Sequence, residues 1–138
     1  VGRDGEGTAK GGSLRGCTQL QFRRDIPGSK KIYPFYIEAS GNADTVDVYE
    51  APIDAMSGAS LKLMQHTGPW RSVHYLALGG TDYAALDAFL KYFPAVCKIV
   101  LCLDNDNAGR TRTQDIIAHL QEYRAHCISM DDILEETR

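Results

Sequence analysis

The chain has no apolar run of the ~18 to 20 residues that a bilayer-spanning helix needs, and no charged-then-apolar leader opens it. Neither a membrane partner nor a secretory route is expected. It has no positive excess either: the formal net charge is −3 over 138 residues. That excludes a protein that coats nucleic acid through bulk charge. It leaves room for an enzyme whose acidic metal site offsets a local basic surface. There is no CxxC pair, since Cys17, Cys97, Cys102 and Cys127 stand singly, so a zinc site is not expected. Cys97, Cys102 and Cys127 fall in or beside apolar, strand-like runs, where buried inert thiols are expected. This usage fits a reducing, cytoplasmic setting.

What is present is a globular composition, 43% hydrophobic and 24% charged, at a length that suits one domain with its own core. The opening on Val1 and a Gly-rich stretch reads as a piece of a longer protein. Residues 1–16 are rich in Gly, Ser, Thr and charge and are read as a flexible N-terminal segment. Residues 17–138 form the domain. Within it, Cys17 to Phe22 and Lys31 to Glu38 carry strand-forming residues around the turn signal Pro27-Gly28. They predict an antiparallel hairpin over residues 17–40.

From Thr45 onward strands and helices alternate. Thr45 to Tyr49 predicts a strand, and Pro52 starts a helix at its first turn. Ile53, Met56, Leu63 and Met64 mark that helix's apolar side, and it stops near Thr67-Gly68. Val73 to Leu78 is a second strand. Thr81 or Asp82 caps the next helix, with Leu86, Phe89, Leu90 and Phe93 at helical spacing and Pro94 as its end. Lys98 to Leu103, apolar on both faces, is a central third strand. A helix over about 108–124 follows, with Ile116, Leu120 and Tyr123 on one face. Cys127 to Met130 is a last strand, and D-D-I-L-E-E-T-R a final helical turn. The alternation predicts a three-layer, Rossmann-like α/β fold with a central parallel sheet of about four strands. The expected order is 2-1-3-4, with the hairpin beside it.

Two of these strands end in acid. V-D-V-Y-E ends at Glu50, and I-V-L-C-L-D-N-D ends at Asp104 and Asp106. Ligand sites in open parallel sheets form beyond the carboxyl ends of strands, where neighbouring connections leave to opposite faces. If the first and third strands are neighbours, the three carboxylates share one crevice. Carboxylates so close raise each other's pKa, and a hard divalent cation relieves them. Magnesium uses few carboxylates and keeps places for water and phosphate. Asn107-Ala108-Gly109 then leads tightly into a helix whose exposed N–H groups favour an anion. Taken alone, D-N-D-N could equally form Asx turns and cap that helix. Lys30, Lys31, Arg110 and Arg112, with Arg15 further upstream, are candidates to meet phosphates; each could also be an ordinary solvated charge. Asp54 suits the start of its helix. His66, His74, His119 and His126 show no ligand spacing. Tyr33, Phe35 and Tyr36 suit packing better than base stacking.

The series Y-E-A-P-I-D-A-M, H-Y-L-A-L-G-G-T and V-L-C-L-D-N-D-N-A-G-R, preceded by G-S-L-R-G and G-S-K-K, resembles the Toprim domain of topoisomerases, bacterial primases and related nucleases. Within it, the likeness is to Toprim-like domains of primase-like proteins on plasmids and conjugative elements, over about residues 12–130. The resemblance implies that Glu50 acts as general acid or base and that Asp104 and Asp106 bind Mg2+ or Mn2+. It implies that Gly109 lets the helix begin close to them. The family often carries lysine-aspartate and then asparagine after its last strand; here S-M-D-D-I-L offers only Asp131 or Asp132. The function implied is metal-dependent phosphoryl or nucleotidyl transfer on nucleic acid, with Arg15, Lys30, Lys31 and Arg110 as contacts. DNA is the expected partner over RNA, with nucleotides and the other domains of a longer replication protein beside it. The alternatives are a non-catalytic nucleic-acid-binding module and a nuclease of the same family. A receiver-like signalling domain also clusters acids, yet its late lysine has no counterpart here.

Overall fold

The computed structural model describes residues 1–66, 68–123 and 133–137, the backbone alone at 123 and 133–137. Its centre is a five-stranded sheet. In chain order the strands are β1 (Gly2–Arg3), β2 (Ala9–Gly11), β3 (Ser13–Arg15), β4 (Arg23–Asp25), β5 (Phe35–Ile37), β6 (Thr45–Tyr49), β7 (His74–Ala77), β8 (Lys98–Leu103) and β9 (Ile133–Thr137). The helices are α1 (Pro52–Gln65), α2 (Ala84–Tyr92) and α3 (Asn107–Tyr123). The central sheet runs β5-β7-β6-β8-β9, with β7, β6, β8 and β9 parallel and β5 antiparallel at the edge. The four parallel strands therefore take the expected order 2-1-3-4, and the first and third are neighbours.

Strand alternation divides the core between the two faces. Val46 and Val48, with Leu76, Leu78, Ile99, Leu101 and Leu103, meet Leu86, Phe89 and Leu90 of α2 and Ile116 and Leu120 of α3. Tyr49, Tyr75, Ala77 and Cys102 meet Ala55 and Ala59 of α1 on the other face. Here one expectation is corrected. Ile53, Met56, Leu63 and Met64 are exposed, and Ala55, Gly58 and Ala59 are the buried side of α1. Helical periodicity allows either stripe. The sheet decides, because Tyr49 and Tyr75 fill the space beneath α1 and only small residues let the helix approach. A Cβ at Gly58 would overlap the Tyr49 hydroxyl. Asp47, on this same face, is buried and holds Lys62 of α1 at 2.5 Å.

The N-terminal third also differs from expectation. An antiparallel hairpin is present, but it joins β3 to β4, pairing Ser13 with Asp25, Leu14 with Arg24 and Arg15 with Arg23. Residues 17–22 form its connection, and 35–37 join the main sheet instead. Within residues 1–16, Gly2–Arg3 and Ala9–Gly11 pair as a second short ribbon, closed by Asp4, whose carboxylate accepts from the N–H groups of Glu6 and Thr8 at 3.0 and 2.9 Å. Cys97 is exposed, against the expected burial, whereas Cys102 is buried. The stretch read as a final helical turn contains β9. Cys127 to Met130, Asp131 and Asp132 lie outside the described residues.

The direction of β5 positions everything before it. Phe35 pairs with Ala77, and Ile37 with Tyr75, so the chain enters this strand at the end where β7 finishes. That end is the acidic rim. A parallel edge strand would have brought residues 1–34 to the opposite end of the sheet.

Candidate functional site at the acidic rim

Glu50 follows β6 and Asp104 follows β8. The two strands pair in parallel with Val48 opposite Leu101, and adjacent strands lie about 4.8 Å apart. The rim is fastened on its other side as well, since the amides of Leu78 and Gly79 donate to the carbonyls of Tyr49 and Glu50, each at 2.9 Å. β6 leads through α1 over one face, and β8 leads into α3 over the other. The acids thus stand where the connections diverge, the place such sheets bind ligands.

The electrostatics follow from this placement. Burial raises the Glu50 carboxyl above its ordinary value, and the charges of Asp104 and then Asp106 add to the effect. The Arg112 guanidinium, 3.8 Å from Oε1, and the Asp104 backbone N–H oppose it. Three acids therefore sense one another, with one cation beside them.

Asp106 has a second task. Its Oδ1 accepts the Gly109 N–H at 2.7 Å, and its carbonyl accepts the Arg110 N–H at 3.0 Å, so it caps α3 as an aspartate at this position should. Gly109 is fixed by space, because a Cβ there would overlap the Asp104 carbonyl. Arg110 lies folded along the loop. Its Nε and Nη2 donate to Asn105 Oδ1 at 3.1 and 2.8 Å, and Nη1 reaches Asn107 Oδ1 at 3.4 Å. Arg112, one turn inward, is the basic side chain beside Glu50.

An open cleft lies over the rim. Arg15, Arg23 and Arg24 line it from the β3–β4 ribbon, Lys31 from the connection to β5, and Glu50, Asp54, Asp104 and Arg112 from the domain. Lys31 is tied to Asp25 at 3.2 Å. Lys30 instead lines a smaller hollow between the ribbon and the sheet. Arg23 and Arg24 were not picked out by the sequence reading, which ended its strand at Phe22. The R-R pair before D-I-P-G was the available signal. Ile53 and Met56 also reach the cleft, which accounts for part of the exposed stripe on α1.

The donor set is all carboxylate, the hard-oxygen chemistry of magnesium and manganese. Among the described residues no three His, Cys, Asp or Glu side chains are drawn together tightly enough to enclose a metal. The residues fit an open site completed by water and phosphate, not a closed cage. Two histidines lie elsewhere: His74 is buried and accepts the Ala39 N–H at 3.0 Å through Nδ1, and His119 faces Asp87 at 2.9 Å under the Tyr83 ring. No helix among the described residues is long and apolar enough to cross a membrane.

Comparison with known proteins bears on the family and the fold. A family profile described as Toprim-like matches residues 48–134. No curated protein matches the chain. Among solved structures, the primase fragment of the bacteriophage T7 primase-helicase protein is similar with a TM-score of 0.63 at 18% identity, over 96% of this chain and 49% of that one. A chain from the structure of bacteriophage T7 lagging-strand DNA polymerase interacting with primase domains of two gp4 subunits bound to an RNA/DNA hybrid and dTTP is similar with a TM-score of 0.57. It is 20% identical, over 97% of this chain and 61% of that one. The chain thus spans half to three-fifths of the chains it resembles.

Proposed function

The chain belongs to the Toprim-like family, and from that premise we propose that it is the catalytic core of a primase-like protein of a mobile element, performing magnesium-dependent nucleotidyl transfer on DNA. The observation that carries this reading is the meeting of Glu50 with Asp104 and Asp106 at the ends of two adjacent parallel strands, under a cleft with a basic far wall. The primase-related likeness of the fold supports it.

Asp104 and Asp106 would hold the magnesium. Bound there, the ion supplies neutralisation of phosphate charge and orientation of the reacting oxygens. Glu50 takes the proton of the attacking hydroxyl as the new phosphorus–oxygen bond forms and pyrophosphate leaves. Burial and the neighbouring acids raise its proton affinity, the direction a general base needs. Arg112 stands within reach of both Glu50 and the cleft, where it steadies the carboxylate and meets substrate phosphate. Arg15 approaches the phosphates from the ribbon and Lys31 from the connection to β5, Lys30 supports the ribbon's seat, and Arg110 holds the metal loop in shape as well as offering charge.

The test is template-directed primer synthesis by the full chain on single-stranded DNA with Mg2+ or Mn2+. Wild type should extend, and Asp104→Asn and Asp106→Asn should not, with parallel loss of manganese binding by relaxation. Cleavage of the DNA in place of synthesis would make the protein a nuclease. The absence of a closed acid cluster among the described residues favours one further reading, a non-catalytic binding module. DNA binding without turnover under either metal would establish it.

A further inference from the structure

The β3–β4 ribbon contains an arrangement that a free-standing hairpin does not favour. Arg15 and Arg23 are direct cross-strand partners, and like charges placed opposite one another destabilise a strand pair. Neither makes an ion pair among the described residues, and Arg24 likewise makes none. Residues 13–25 carry three arginines against one aspartate, and that aspartate is occupied by Lys31. In a chain of net charge −3 this is a concentrated positive patch awaiting an anion.

The patch has an aromatic member. Phe22 is 46% exposed, and the Arg24 guanidinium lies over its ring, 5.8 Å from the centroid. Phe22, Arg15 and Arg23 line one hollow at the ribbon's loop end, beside Gly16, Thr18 and Gln21. Gly16 is held against Phe22, because a Cβ there would come within 2.9 Å of the Phe22 Cβ. A ring covered on one side by Arg24 and sharing a hollow with Arg15 and Arg23 matches what an unpaired nucleotide presents, a flat base joined to a phosphate.

We propose that the β3–β4 ribbon is a single-strand clamp, in which the opposed Arg15 and Arg23 grip a DNA backbone phosphate while Phe22, backed by Arg24, stacks the neighbouring unpaired base. The occupant is single-stranded DNA, because a base within a duplex has no free face for Phe22. Arg15, Arg23 and Arg24 also line the cleft over Glu50 and Asp104, so the clamp hands its strand directly to the acidic rim. This inference deepens the proposed nucleic-acid role, but its test requires no turnover.

The experiment is fluorescence anisotropy of the full chain with a labelled thymidine oligonucleotide, the corresponding duplex, and a nucleoside triphosphate as competitor, at several salt concentrations. Phe22→Ala should weaken single-strand binding about tenfold, within the range for one lost stacking contact, and leave the salt dependence unchanged. Phe22→Trp should restore binding. Arg23→Ala should weaken binding and reduce the salt slope by about 0.7, one phosphate's share on a single strand. Duplex affinity should be indifferent to Phe22. The clamp is overturned if wild type does not bind the single strand, if Phe22→Ala and Arg23→Ala leave its affinity intact, or if they weaken only competition by the triphosphate. Failure of primer synthesis with these binding changes intact would reject the catalytic reading and keep the clamp.

Discussion

Gly109 and Asp104 are packed so closely that the first turn of α3 leaves no room for a side chain between them: any Cβ on Gly109 would overlap the Asp104 carbonyl. The contact forces the Asp104–Asp106 loop and the helix start to share one position. Gly109→Ala should therefore cost about 3 kcal/mol through overpacking against backbone that has little freedom to yield. It should weaken manganese binding as well, because Asp106 loses its seat on the Gly109 N–H. Thermal unfolding and manganese relaxation measure the two effects separately. A variant as stable as wild type with unchanged metal affinity would contradict this geometry.

Glu50→Gln separates proton transfer from metal holding. General acid–base catalysis contributes roughly 10² to 10⁴-fold, so turnover should fall by that amount while DNA affinity and fold persist. Activity that survives the change at saturating magnesium would remove Glu50 from the chemistry.

The same carboxyl sets a pH dependence. Its proton affinity is raised by burial and by Asp104 and Asp106, and lowered by Arg112. A group raised in the folded state stabilises the protein at pH below its unfolded value, and this contribution is lost as pH rises through its folded value. Without metal, Glu50→Gln should thus match wild type in acid and gain stability over it toward neutrality. Arg112→Ala removes the opposing charge, so the acid limb of the pH–rate profile should move to higher pH. A limb that stays in place would show that Arg112 does not act on Glu50.

His74 titrates in the opposite sense. Burial, its largest influence, lowers its proton affinity, and its Nδ1 accepts the Ala39 N–H in the uncharged form. Its contribution is present above the ordinary histidine value of 6.5 and is lost as pH falls through that value toward the folded one. His74→Gln, which can still accept that N–H, should flatten stability against pH across this interval in chemical denaturation.

Gly58→Ala tests packing against propensity. In an exposed helix the change stabilises by up to about 1 kcal/mol. Here the new methyl would meet the Tyr49 hydroxyl, and overpacking of about 1 to 3 kcal/mol should prevail. A raised melting temperature would show that α1 can lift from the sheet without cost.

The first three parallel strands were legible because each is an apolar run closed by turn chemistry or acid, whereas β9, I-L-E-E-T, has no such pattern. Lys98–Leu103 is bounded as expected, and Thr45–Tyr49 likewise. Strand order followed from the need to bring Glu50 beside Asp104. The buried side of α1 was not legible, since Ala55, Gly58 and Ala59 give a weaker signal than Ile53 and Met56, and the deciding bulk comes from Tyr49 and Tyr75 on other elements. The N-terminal pairing was hidden for a similar reason. Phe35–Ile37 has the composition of a hairpin strand, but its partner is β7, some forty residues away, and nothing local in the sequence specifies that. At the site, the three acids were visible as strand ends. Arg112's place beside Glu50 depends on helical phase after a tight turn, and Arg110's inward fold depends on Asn105 and Asn107.

The antiparallel run of β5 has an architectural consequence. Because Phe35 begins its strand at the acidic rim, the chain that precedes it is delivered to the carboxylate end of the sheet. The attachment is a strand of only three residues, with Tyr36 packed against one core cluster and Phe35 and Ile37 against the other. The three residues of β5 thus set which end of the sheet the β3–β4 ribbon faces, while Glu50, Asp104 and Asp106 take their places from β6 and β8 alone.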